Sequence, residues 1–198
     1  MIIDTAAELD FSPFEVFSEP FPYAVSSRAF REDISFDILK WLETQAPWKL
    51  VETDFYEQFE FSFADASFPD RLTFLWEETF LASLRTEVQK HLGISLEGRV
   101  EATAHRLVPG QRIRVHNDFL PGGETHRLLI QLNRGWRDEH GGFLLFFNSP
   151  DPAHIHKIFH PVHNSGILFA ISSNSNHAVT TIYGGERFTL VFSFYAER

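Results

Sequence analysis

His116, Asn117 and Asp118 directly follow the segment Gln-Arg-Ile-Arg-Val, and His177 comes 59 residues after Asp118, in SNSNHAVTT. An imidazole and a carboxylate one residue apart at a strand end can turn toward one metal ion. Joined by a distant imidazole, they make a set of two histidines and one carboxylate on one face of the metal. Such a set leaves three coordination positions open and suits non-haem Fe(II). By itself the pattern is weak, because a chain with ten histidines and many acids can produce it by chance. Arg187 lies ten residues after His177, and Thr189 takes the next same-face position of a strand. An arginine pointing into an apolar β-core is costly unless it meets an anion. A planar guanidinium beside a hydroxyl suits a carboxylate. The plainer alternative is a solvated arginine at a strand edge.

These residues need elements to position them. Pro13, Pro20 and Pro22 deny a helix to residues 1–25, which read as extended chain wrapping the domain. From Ser26 to Thr44 the apolar residues Phe30, Ile34, Ile38, Leu39, Trp41 and Leu42 recur near helical spacing, and Pro47 ends the run. Residues 51–63 alternate like a strand. A second helix is expected from Arg71 to His91, with Gly93 as its stop. From Val100 onward the chain breaks into about eight short strands separated by Gly, Pro and Asn turns. The fold expected is α+β, a jelly-roll (double-stranded β-helix) core with N-terminal helices packed on one face. At 198 residues this fits one domain, extended and helical to about residue 95 and β-core over about 96–198.

Composition narrows the functions. Seventeen Lys and Arg against 27 Asp and Glu give a net charge of −10, which repels phosphate backbones and argues against a nucleic-acid substrate. With no cysteine, disulfides, thiolate metal sites and cysteine nucleophiles are excluded. The opening MIIDTAAELDF carries acids where a signal peptide needs bases, and no apolar run is long enough to span a bilayer. A cytoplasmic protein without membrane attachment is expected. A second metal reading comes from His154, His156, His160 and His163 in DPAHIHKIFHPVH, set against a strand whose polar positions happen to be histidine.

Taken together, these segments resemble the iron- and 2-oxoglutarate-dependent oxygenases, in particular their prolyl-4-hydroxylase-like branch. HRLVPGQRIRVHND resembles the family's strand, Pro-Gly turn, strand and H-x-D. HRLLIQLNRGWRDEHGGFLLFF resembles its Leu-Asn strand end, Trp and Gly-Gly, and NSGILFAISSNSNHAV its Gly-led strand into the distal histidine. EPFPYAVSSRAFREDISFDILKWLE resembles its Pro-Phe-Pro opening and first helix, so the likeness covers about residues 19–195.

The resemblance implies that His116, Asp118 and His177 hold Fe(II) and that Arg187 and Thr189 hold the 5-carboxylate of the cosubstrate 2-oxoglutarate. Gln131 replaces the Tyr common before Leu-Asn and keeps a hydrogen-bond donor for the cosubstrate; Leu107 replaces another common Tyr. It also implies oxidation of a substrate C–H bond by O2, coupled to decarboxylation of 2-oxoglutarate to succinate. Halogenating relatives have a small residue in place of the carboxylate, so Asp118 argues for hydroxylation or another two-electron oxidation. The substrate expected is an amino-acid side chain in a peptide or protein. The near alternatives are a free amino acid or a ribosomal peptide that is cross-linked, and the alternative of another class is a non-catalytic small-anion-binding β-sandwich or sensor. Strand alternation places Arg114 and Arg112 on the face of His116, and Arg127 on that of Gln131. Arg114 and Arg127 are therefore candidate substrate contacts, against the alternative of pairing with surface acids. Trp136 reads as a packing residue.

Overall fold

The computed structural model describes residues 8–197. The elements run β1 (Glu15–Phe17), β2 (Tyr23–Ser26), α1 (Glu32–Thr44), β3 (Lys49–Glu52), β4 (Glu57–Ser62), α2 (Glu78–Leu92) and β5 (Leu96–Leu107). There follow β6 (Ile113–His116), β7 (His126–Gln131), β8 (Leu144–Phe147), β9 (Ile155–Phe159), β10 (Ser165–Ala170), β11 (His177–Val179) and β12 (Arg187–Ala196). Eight strands form one antiparallel sheet in the order β1-β2-β10-β7-β12-β5-β4-β3, and four form a second in the order β6-β11-β8-β9. Two facing sheets with helices on the outer side of the larger one are the α+β jelly roll read from the sequence.

β12 shows how the residues dictate this arrangement. Alternate side chains of a strand leave opposite faces of its sheet. Phe188, Leu190, Phe192 and Phe194 pack outward with Ile34, Ile38 and Trp41 of α1 and Phe80, Leu84 and Val88 of α2. Val191 faces the other way, into a cluster between the sheets with Leu129, Leu144, Phe146, Ile167, Phe169 and Val179. Arg187 and Thr189 share the parity of Val191, so the strand that anchors the helices also carries a charge into the space between the sheets.

Three boundaries depart from the sequence reading. The first helix starts at Glu32 because residues through Ser26 are held in the sheet by β10, and Ala29 is bonded to Asn164. The second is divided: Asp70–Trp76 form a 3₁₀ helix, and the extended Glu77 precedes α2. That break lets Leu72, Phe74 and Leu75 reach the same core as Phe80, Leu81 and Leu84. The strand expected over 51–63 is a hairpin, because Thr53 turns the chain, its N–H donating to the Tyr56 carbonyl and its hydroxyl accepting from the Tyr56 N–H. Gly93, in the left-handed region at φ 65°, stops α2 as expected. Of residues 1–25, read as extended, 1–7 lie outside the described residues; β1 and β2 bear out the reading for the strands they cover. No helix among the described residues is long and apolar enough to cross a membrane.

Buried Asn133 fixes the start of β12: its side-chain oxygen accepts from the Phe188 N–H at 2.7 Å and its amide donates to the Pro161 carbonyl at 2.9 Å. Asn133→Ala leaves a buried N–H and a carbonyl unpaired and is expected to cost about 1–3 kcal/mol. The readout is a lower denaturant midpoint at unchanged m-value.

Candidate active site

β6 and β11 are neighbours in the small sheet, and His116 and His177 are register partners across them. Two residues further along β11, Val179 pairs with Ile113, three residues back on β6. β6 therefore holds one extra residue, a β-bulge, and Ile113 and His116 line the same cavity despite their odd separation. The bulge corrects the alternation read from sequence. The exposed Arg112 and Arg114 line a neighbouring groove instead, where Arg114 donates to the Asp54 carbonyl.

Asp118 stands just past β6 at φ 58°, a left-handed conformation that aspartate tolerates better than bulkier residues. It turns the carboxylate back onto the histidines, with Oδ2 3.1 Å from His177 Nε2 and Oδ1 3.4 Å from His116 Nε2. All three ligand atoms lie within 4.8 Å of one another. His116 Nδ1 is 2.8 Å from the Arg114 carbonyl and His177 Nδ1 is 2.7 Å from the Ser175 carbonyl. A carbonyl only accepts, so each Nδ1 carries the proton and each Nε2 keeps its lone pair toward the cluster. The Ser175 hydroxyl donates to the Asn117 carbonyl at 2.9 Å, tying the two ligand-bearing loops together.

Arg127 sits beside this cluster, its guanidinium donating to Asp118 Oδ2 and to both oxygens of Glu124. Burial opposes ionisation of Asp118, but the adjacent imidazoles of His116 and His177 and the charge of Arg127 hold its carboxyl far below the usual range. Burial likewise lowers the pKa of His177. Both effects favour the forms that bind a metal, carboxylate and neutral imidazole.

The cavity next to the cluster has a volume of about 240 Å³ and is also lined by Arg187 and Thr189. Arg187 Nη1 donates to Thr189 Oγ1 at 2.9 Å, and that hydroxyl donates to Gln131 Oε1 at 3.0 Å. Burial pushes the Arg187 guanidinium down to about 10, and it has no carboxylate within 4.0 Å among the described residues. Arg187 Nε and Gln131 Nε2 are buried donors without an acceptor. A buried cation with spare donors fits a ligand carboxylate. Gly142 makes room for it: at φ 69°, a Cβ there would lie 2.6 Å from Ile182 Cδ1 and 3.2 Å from Arg187 Cδ. Trp136 packs on Gly142 from the other side and donates to the Gly141 carbonyl, so it is a packing residue.

The four clustered histidines do not converge. His154 bonds Ser149, His156 bonds Asn148, His160 faces Asp138, and His163 bonds Ser35 and stacks on Phe36. Among the described residues only His116, Asp118 and His177 are spaced to hold a metal. Sequence reading missed another wall of the cavity, formed by Tyr56, Gln58 and Glu60 of the hairpin and His105 of β5. Its signal was there in the alternation of residues 51–63, which sends Gln58 and Glu60 to one face.

Residues 102–195 match the model of the 2OG-Fe(II) oxygenase superfamily. In fold, the chain is similar to a prolyl-4-hydroxylase from Pseudomonas putida, with TM-score 0.68 and 16% identity over 89% of this chain and 93% of that one. It is also similar to a prolyl hydroxylase from Trichoplax adhaerens, solved with a hypoxia inducible factor oxygen degradation domain peptide fragment (TM-score 0.72, 15% identity, 87% and 83% coverage). The viral collagen prolyl hydroxylase of Paramecium Bursaria Chlorella virus-1 gives TM-score 0.63 and 16% identity over 88% of this chain and 96% of that one. No curated protein sequence matches the chain. The β-core thus matches the 2OG-Fe(II) oxygenase superfamily over residues 102–195, and the chain has the fold of these prolyl-4-hydroxylases. Members of that superfamily use Fe(II), 2-oxoglutarate and O2.

Arg127→Met removes the partner that orients Asp118 and is expected to weaken divalent-metal binding about 10–100-fold. Titration of the protein with Co(II), followed by its visible spectrum, measures this without turnover; an unchanged affinity would show that Arg127 does not position the carboxylate.

Proposed function

We propose that the protein is an Fe(II)- and 2-oxoglutarate-dependent dioxygenase that hydroxylates a C–H bond in an amino-acid side chain of a peptide or protein. The observation that carries this reading is Arg187, a buried guanidinium with spare donor capacity and no counter-charge among the described residues, in the cavity of the His116–Asp118–His177 cluster. A non-catalytic anion-binding sandwich would explain Arg187 but not the three converging ligand atoms beside it.

In this reading His116, Asp118 and His177 would hold the iron. Bound there, iron supplies the coupled oxidation in which O2, 2-oxoglutarate and a C–H bond yield succinate, CO2 and a C–OH group. The chain contributes placement. Arg187 and Thr189 hold the 5-carboxylate, and Gln131 orients Thr189 while offering its own free amide N–H. Leu129, Leu144, Phe169, Val179 and Val191 line the same cavity with apolar surface that excludes water. A peptide is favoured over a free amino acid because a groove of about 640 Å³, lined by Glu52–Glu57, Val108–Arg112 and Arg114, shares Phe55 and Tyr56 with the cavity. The fold relative from Trichoplax, solved with a peptide fragment, adds support.

The deciding experiment is anaerobic addition of Fe(II) and 2-oxoglutarate, watching for the weak visible charge-transfer band of a chelated 2-keto acid. The wild-type protein is expected to show it, and Asp118→Ala, His116→Ala and His177→Ala to lose it while remaining folded. Absence of the band in iron-loaded wild-type protein would sink the proposal. Arg187→Ala is expected to raise the 2-oxoglutarate concentration for half-formation of the band about 30-fold or more, the effect of removing one partner of a buried charge pair.

A further inference from the structure

The polar groups of the cavity divide by sign. On β12 the spare capacity is a donor, Arg187 Nε, with a second unused donor, Gln131 Nε2, on the amide behind Thr189. On β4 it consists of acceptors. Gln58 is 1% exposed, and its Nε2 donates to Glu60 Oε2 at 2.8 Å. A carboxylate cannot donate back, so that bond fixes the amide orientation and leaves Gln58 Oε1 buried without a partner. Glu60 lines the same cavity with no Lys or Arg of the described residues within 4.0 Å. Its nearest basic group is His105 Nε2 at 4.0 Å, and His105 is neutral at ordinary pH because burial, and then the charges of Arg127 and Arg187, bring its pKa down to about 3. The Tyr56 hydroxyl is likewise kept protonated, by burial first and then by Glu60.

A carboxylate and an unpartnered carbonyl side by side call for a donor, and the negative charge calls for a cationic one. 2-Oxoglutarate has no N–H to offer. Geometry also keeps it apart from them. Glu60 pairs with His105 and His105 with Thr189, so Glu60 is two strands, or about 10 Å along the sheet, from Thr189. Resting on the oxygenase reading above, we infer that Gln58 and Glu60 form a substrate subsite for the ammonium or guanidinium of a lysyl or arginyl side chain. The net charge of −10 attracts such a substrate. The adjoining groove carries Glu52, Asp54 and Glu57 on its wall together with Arg112 and Arg114, so it takes a mixed-charge segment around that residue.

The test uses the full chain loaded with Co(II) and 2-oxoglutarate, which binds without turning over. The probes are the Nα-acetyl methylamides of lysine, arginine and norleucine, each titrated to millimolar concentration while the Co(II) spectrum is followed. One of the two cationic probes is expected to bind at least about tenfold more tightly than the norleucine probe. Glu60→Gln should remove that preference with 2-oxoglutarate affinity unchanged, and Glu60→Asp, which keeps the charge, should retain part of it. Equal binding of all three probes, binding of none, or a preference that survives in Glu60→Gln overturns the subsite. Failure of the oxygenase reading is seen separately, as 2-oxoglutarate binding that does not depend on Co(II) or on Arg187.

Discussion

A positive charge without a negative partner inside a β-sandwich is the constraint around which this molecule is arranged. Arg187 lies at the start of β12, bonded to Thr189 and bordered by Gly142, with no carboxylate in reach among the described residues. Burying a guanidinium in this way is unfavourable for folding alone. The chain could have quenched it with an acid from a neighbouring strand and instead offers it Gln131, a neutral amide with its own donor unused. Because β12 is paired on both sides and packs both helices through its other face, Arg187 is held by the most connected strand of the large sheet.

The metal-ligand cluster is organised on the opposite plan. Asp118 is surrounded by His116, His177 and Arg127, and Arg127 is in turn held by Glu124. Acid, base and acid form a chain in which each group is oriented by the next, so the carboxylate keeps its position without a metal to hold it. The two plans complement each other: one end of the cavity is fully partnered and rigid, while the other is short of an anion.

How much of this was legible in the sequence depended on whether a local pattern determined the outcome. The existence of the helices, the eight-strand β-core and the shared face of Arg187 and Thr189 followed from periods of 3.6 and 2, while the start of the first helix and the break before α2 did not. Gly93 and the Gly142 beside Trp136 acted through backbone conformations that only glycine adopts readily. Arg114 went to the wrong face because one extra residue in β6 breaks the alternation, and a bulge leaves no mark in residue types. The Gln58–Glu60 wall escaped notice because its meaning lies in what those side chains lack. An unpartnered acceptor is a property of the assembled cavity, and no spacing announces it. His154, His156, His160 and His163 were misleading for the converse reason: only His156 lies within β9, and each ring is taken by a different neighbour, Ser149, Asn148, Asp138 and Ser35 in turn.

The bulge in β6 also bears on how such a chain can vary over evolutionary time. Ile113 and His116 share the cavity face because β6 has three residue steps where β11 has two. Deleting the extra residue would leave two steps on each strand, a regular ladder in which the same two side chains still share a face. The bulge is thus a point where β6 can shorten by one residue without turning its imidazole away from His177.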